Sequence, residues 1–145
     1  MLVASNSGMQ GGRVVEAGAA IILVIDDEPV VRMLARRALE SFGYITLGAK
    51  DGADGVRILA EQTAPVAAVL LDMSMPGMTA EETLNAIHAA DGSTRVVIMT
   101  GFAEESAAAL TAEGLIAGFL QKPFALDTLQ AVMKGILAVD PIVGG

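Results

Sequence analysis

The sequence contains no cysteine and no tryptophan, and aromatic residues make up 3% of its 145 positions. Without thiols there is no disulfide, no thiolate nucleophile and no thiolate metal site, so the chemistry must rest on oxygen and nitrogen groups. Basic residues are scarce too: 9 Lys and Arg stand against 17 Asp and Glu, a net charge of −8. That balance argues against direct nucleic-acid binding, because phosphate backbones select basic faces, and equally against docking on anionic lipid. Long hydrophobic runs are missing. The most apolar stretches, 17–25 and 64–71, fall well short of the ~20 residues of a membrane-spanning helix. The first residues also lack the basic n-region and continuous apolar stretch of a secretory signal, and the expected location is cytoplasmic.

The chain does have a 53% hydrophobic fraction, ample for the core of one ordinary domain. Gly8, Gly11, Gly12 and Gly18 among polar neighbours mark residues 1–19 as a flexible tail or linker. The folded domain is expected over 20–139, with 140–145 as a C-terminal tail. Within it, apolar runs at 21–25, 44–47, 66–71, 96–99 and 116–120 alternate with segments of helical period. Each gap holds one helix and two loops, the pattern of βαβ crossovers and a parallel sheet. Pro29 and Gly43 bracket the first helix, whose apolar stripe reads Val31, Leu34, Ala35, Ala38 and Phe42. Asp51 caps the second, which Gly52 and Gly55 weaken by up to ~1 kcal/mol each. Thr79 and Glu82 have capping-box spacing and open the third. A fourth is expected over 104–112, and a fifth buries Leu126, Leu129, Val132 or Met133, and Ile136. The result is an α/β fold, (βα)5, with helices on both faces of the sheet.

Ligands of such sheets sit outside the carboxyl ends of the strands, so the residues that end the strands matter most. Strand 1 ends in Asp26-Asp27-Glu28, strand 3 in Asp72, strand 4 in Thr100-Gly101 and strand 5 in Gln121-Lys122-Pro123. Three aspartates, a hydroxyl and an ammonium therefore meet at one edge. Clustered carboxylates repel, and a hard divalent cation such as Mg²⁺ resolves the conflict with oxygen ligands. With Lys122 as a second positive centre and Thr100 as donor, the set suits a phosphoryl group carried on a carboxylate.

On these residues the chain resembles the receiver domains of two-component response regulators. The matching pieces are Ile22-Leu23-Val24-Ile25-Asp26-Asp27-Glu28, Leu70-Leu71-Asp72-Met73-Ser74-Met75-Pro76-Gly77-Met78, Met99-Thr100-Gly101 and Lys122-Pro123-Phe124. They stand in the family's order and spacing, and the resemblance covers about 20–139. It implies a flavodoxin-like sheet of order 2-1-3-4-5. It also implies that Asp72 accepts a phosphoryl group from a phosphohistidine on a histidine kinase or its phosphotransfer domain. Asp26, Asp27, Asp72 and the main-chain carbonyl of Ser74 would hold Mg²⁺, Lys122 and Thr100 would bind phosphoryl oxygens, and Lys122-Pro123 would be a cis peptide aiming the lysine at the site. Thr100 and Phe119 would form a switch that remodels the face of the fourth helix, fifth strand and fifth helix, through which a homodimer could form. Such a domain is no enzyme beyond its own phosphotransfer and autodephosphorylation. The sequence departs from the family in Thr79-Ala80 for the common Asp-Gly and in Phe119 for the common tyrosine. Ser74 and Phe102 occupy positions that influence phosphate lifetime, and the bulk of Phe102 is expected to prolong it.

Taken singly, these residues also have plainer readings: Asp26-Asp27 as a solvated loop, Thr100 as a strand end, Phe119 as core. Met73, Met75 and Met78 read as packing, and His88 as a surface residue. A Mg²⁺-dependent phosphatase of the haloacid-dehalogenase type also uses a strand-end aspartate, but Ser74 stands where its acid-base aspartate belongs; a degenerate receiver used only for binding is the third reading. The tail in front and Gly145 soon after the last helix fit either a stand-alone receiver or the C-terminal receiver of a hybrid sensor kinase. The Met99-Thr100-Gly101-Phe102 turn and the Leu120-Gln121-Lys122-Pro123-Phe124 strand end favour the second.

Overall fold

Strands buried on both faces need apolar residues at every position, and the apolar runs of this chain meet that condition. The computed structural model describes residues 19–74, 77–101 and 114–138. Its elements are β1 (Ile21–Ile25), α1 (Pro29–Ser41), β2 (Ile45–Ala49), α2 (Gly52–Glu61), β3 (Ala68–Asp72), α3 (Ala80–Ala90), β4 (Arg95–Thr100), β5 (Gly118–Gln121) and α4 (Leu126–Ala138). The helix expected over 104–112, Phe102, Met75, Pro76 and most of both expected tails lie outside the described residues, so α4 here denotes the last helix.

All strand pairs are parallel and the sheet order is β2-β1-β3-β4-β5, the flavodoxin-like order the resemblance implies. Alternation along the strands divides the core in two. Leu23, Ile25, Val69, Leu71 and Ile98 pack with Leu59, Leu84 and Ile87 on one face. Ile22, Val24, Leu70, Val97 and Met99 pack with Ala35, Leu39, Leu129 and Met133 on the other. Strands β3 and β5 start later than their apolar runs because Val66 and Ile116 are buried ahead of the paired residues.

Helix ends follow local chemistry. Beyond α1, Gly43 has φ +101°, and Gly43 N–H and Tyr44 N–H donate to the Glu40 and Leu39 carbonyls at 3.0 and 3.2 Å, a Schellman ending. Asp51 accepts the Asp54 N–H at 2.8 Å. Thr79 and Glu82 form the expected capping box, at 2.9 and 3.0 Å. Over β2, Arg36 Nε donates to Thr46 Oγ1 at 3.0 Å and its Nη2 to the Thr46 carbonyl at 3.3 Å, while Thr46 Oγ1 donates to Glu40 at 2.5 Å.

Four expectations need correction. Leu34 is 57% exposed and Leu39 is the buried leucine of α1, so the stripe facing the sheet is rotated toward Leu39. Leu126, placed in the core by periodicity, is 62% exposed because it lies in the first turn of α4, ahead of the buried Leu129 and Met133. His88 is half-buried, and its Nε2 is 2.9 Å from the Leu115 carbonyl, which ties α3 to the entry of β5. Gly52 and Gly55 are not mere weaknesses of α2. A Cβ at Gly55 would run into the Ile25 side chain, and one at Gly52 into Thr83. Close approach of α2 to the sheet and to α3 therefore outweighs helix propensity. Gly55→Ala is expected to destabilise the protein by about 1–3 kcal/mol, although propensity alone favours alanine by about 1 kcal/mol; the urea midpoint checks this.

Candidate functional site

Because every strand runs the same way, the carboxyl ends of β1, β3, β4 and β5 share one edge. Beyond β1, Asp26 is fully buried. Its N–H donates to the Ala49 carbonyl at 3.1 Å, and its Oδ1 accepts the Glu28 N–H at 2.9 Å. Asp27 and Glu28 are exposed. At the end of β3, Asp72 is buried, and its Oδ1 accepts longer bonds from Ser74 N–H and Oγ at 3.3 and 3.2 Å. Carboxylate oxygens of Asp26, Asp27 and Asp72 lie within 4.8 Å of one another.

Lys122 enters from the far end of β5. Its Nζ is 3.0 Å from Asp26 Oδ2, 3.4 Å from Asp72 Oδ1 and 3.9 Å from Glu28 Oε1. Its N–H donates to the Thr100 carbonyl at 2.7 Å, and its bond to Pro123 is cis. Burial by itself would lower the pKa of this ammonium. The hydrogen bond it donates to Asp26 and the charges of Asp26 and Asp72 outweigh that and hold the group above the ordinary lysine value. Thr100 is buried at the end of β4, one strand over from Gln121 in register. Phe119 lies further back on β5, opposite Ile98, and is 36% exposed.

The donor set fits a hard divalent cation. Three clustered carboxylates, with Glu28 beside them, outnumber the single ammonium, and their donors are oxygen. Asp26, Asp27 and Asp72 are the side chains that could hold it, with Ser74 beside Asp72. The structure thus brings Asp26, Asp27, Asp72, Ser74, Thr100 and Lys122 together, whereas Phe119 stands apart on the edge strand.

Two features escaped the sequence. Arg32, off the apolar stripe of α1, donates from its Nη1 to the Asp26 main-chain carbonyl at 2.6 Å. Helical side chains lean toward the N-terminus, so a long basic residue in the opening turns of α1 could have been read as reaching back to the strand end. An apolar groove of about 540 Å³ also runs between α1 and α4, with Leu34 and Leu126 on its walls and Lys122 at one end. Which leucines stay exposed depends on how the two helices lie, and periodicity does not specify that.

The profile of the family described as response regulator receiver domain matches residues 22–134. The sensor kinase CckA of Brucella abortus (strain 2308) is 32% identical over 121 residues, which cover 83% of this chain and 13% of that protein. Sporulation initiation phosphotransferase F of Bacillus subtilis (strain 168) is 32% identical over 117 residues, covering 80% of this chain and 92% of that one. This chain therefore spans a small part of the first relative and nearly all of the second. Among solved structures, the receiver domain from the hybrid histidine kinase CckA superposes with a TM-score of 0.69 at 29% identity, over 81% of this chain and 99% of that one. With the parallel 2-1-3-4-5 sheet and the strand-end carboxylates already in view, the chain belongs to the response regulator receiver domain family of two-component systems.

Proposed function

We propose that this receiver domain is a phosphoacceptor in a two-component system or phosphorelay, with Asp72 as the residue that takes the phosphoryl group. The observation that carries the reading is the buried Asp72 carboxylate, with the Lys122 ammonium 3.4 Å away and two further aspartates in reach. An Asp72 oxygen attacks the phosphorus of a phosphohistidine on a histidine kinase or its phosphotransfer domain. The O–P bond forms as the N–P bond breaks, and the imidazole leaves with the electron pair and takes up a proton. Lys122 faces the charge that gathers on the phosphoryl oxygens, and the Thr100 hydroxyl donates to another of them. Asp26, Asp27, Asp72 and the Ser74 main-chain carbonyl would hold Mg²⁺, which would supply further neutralisation of those oxygens. Transfer and autodephosphorylation then need no separate catalytic group. The serine two positions after Asp72, donating to its carboxylate, supplies no acid-base carboxylate for a phosphomonoesterase.

The apolar groove beside Lys122 supports a protein as the phosphoryl donor. The relative named a phosphotransferase supports a relay role, and the match to a receiver-sized portion of a sensor kinase supports a place within a hybrid kinase. The same reading puts the domain in the cytoplasm; among the described residues no helix is long and apolar enough to cross a membrane. The net charge of −8 supports output through proteins and not nucleic acid. In that output, Thr100 closes on the phosphoryl group and Phe119 turns inward, which remodels the face of β5 and α4 where a second copy or another protein binds.

With Mg²⁺ and acetyl phosphate, the intact mass of the wild type is expected to rise by one phosphoryl group, and that of Asp72→Asn to stay unchanged. A wild type that gains nothing, or a variant that gains as much, refutes the assignment. Lys122→Met is expected to lose about 2 kcal/mol of stability in metal-free buffer, below the cost of stripping a fully buried charge because Lys122 is 20% exposed. Its melting temperature should then rise more with added Mg²⁺ than that of the wild type, as scanning calorimetry would record.

A further inference from the structure

We infer that Arg32 is a positioning residue for the cation site: bonded to the Asp26 main-chain carbonyl, its guanidinium fixes the Asp26-Asp27 turn that presents the carboxylates. The inference rests on the reading of those carboxylates as a cation centre. Asp26 is tied at every polar atom. Its N–H goes to Ala49, Oδ1 to the Glu28 N–H and Oδ2 to Lys122, and its main-chain carbonyl accepts Arg32 Nη1 at 2.6 Å. That carbonyl lies past the last paired residue of β1, Ile25, so neither neighbouring strand's ladder reaches it. It belongs to the peptide joining Asp26 to Asp27, and its direction sets the path by which the exposed Asp27 leaves the strand. A buried carbonyl left without a donor would turn to find one, and Asp27 would turn with it.

The route of the arginine is visible in its bed. Gly48 is a poor strand residue, yet it lies where α1 sends two arginines over β2. A Cβ there would come within 3.4 Å of Arg32 Cδ and 3.0 Å of Arg36 Nη1. The bare position makes room chiefly for Arg36, and the stem of Arg32 passes beside it at ordinary contact distance on its way to Asp26. Outer groups that orient metal ligands typically govern affinity by 10–100-fold.

The test is the Mg²⁺ affinity of the full chain by titration calorimetry, well below the melting temperature of each protein. Arg32→Met is expected to weaken binding about 10-fold, and Arg32→Lys, which keeps the charge and a donor, to recover part of the loss. If Arg32→Met binds as well as wild type while only melting earlier, the arginine is merely structural and the inference fails. Tighter binding also overturns it, since that is what simple loss of a positive charge near three carboxylates produces. Should Arg32→Met not fold, Arg32→Gln and Arg32→Lys decide the matter by the same measurement. A wild type that binds no Mg²⁺ refutes instead the cation centre itself.

Discussion

The Lys122 ammonium, 96 residues along the chain from Asp26, is the contact on which the functional edge of this sheet depends. Two buried aspartates and a third beside them would repel in a low-dielectric setting. No basic residue adjacent in sequence relieves them. A cation from the last strand does so only if β5 docks parallel to β4 and ends at the same edge. Sheet order, strand direction and register are thus the conditions under which that charge arrives. The centre of the sheet provides the stiffness: β3 is buried throughout and β1 and β4 nearly so, whereas β5 is half open. Asp72 therefore ends the fully buried strand β3, and its counter-ion Lys122 follows directly on the half-open β5.

Much of this was legible in the sequence because two simple rules combine. Uninterrupted apolar runs such as 21–25 and 66–71 suit only doubly covered strands, and parallel strands gather their carboxyl ends. Residues as distant as Asp26, Asp72 and Lys122 could accordingly be placed together from their positions just after such runs. The same rules do not specify how a helix is rotated on the sheet or how closely it approaches. For that reason Leu34 and Leu39 exchanged roles, Leu126 proved exposed, and Gly55 looked like a flaw until Ile25 was seen beneath it. His88 and Arg32 belong to the same class. Each bonds a backbone carbonyl of a different element, Leu115 and Asp26, and a carbonyl partner leaves no trace in residue identity.

The helices also divide their labour unevenly. Helices α2 and α3 are joined by the close contact at Gly52 and Thr83, and His88 adds a link from α3 to the approach of β5. Helices α1 and α4 instead leave a groove with apolar walls between them. Among the described residues the α2–α3 pair is thus tightly joined, whereas the α1–α4 pair leaves a groove that Lys122 helps to line.

Arg36, bonded to the outward carbonyl of Thr46, has a consequence for crowding as well as for the fold. An open sheet ends in a row of backbone donors and acceptors that any extended segment can adopt as a template. On the β2 side the protein's own guanidinium already occupies part of that row. A foreign strand could add there only after displacing it, so the sheet resists growing into a larger assembly from that rim.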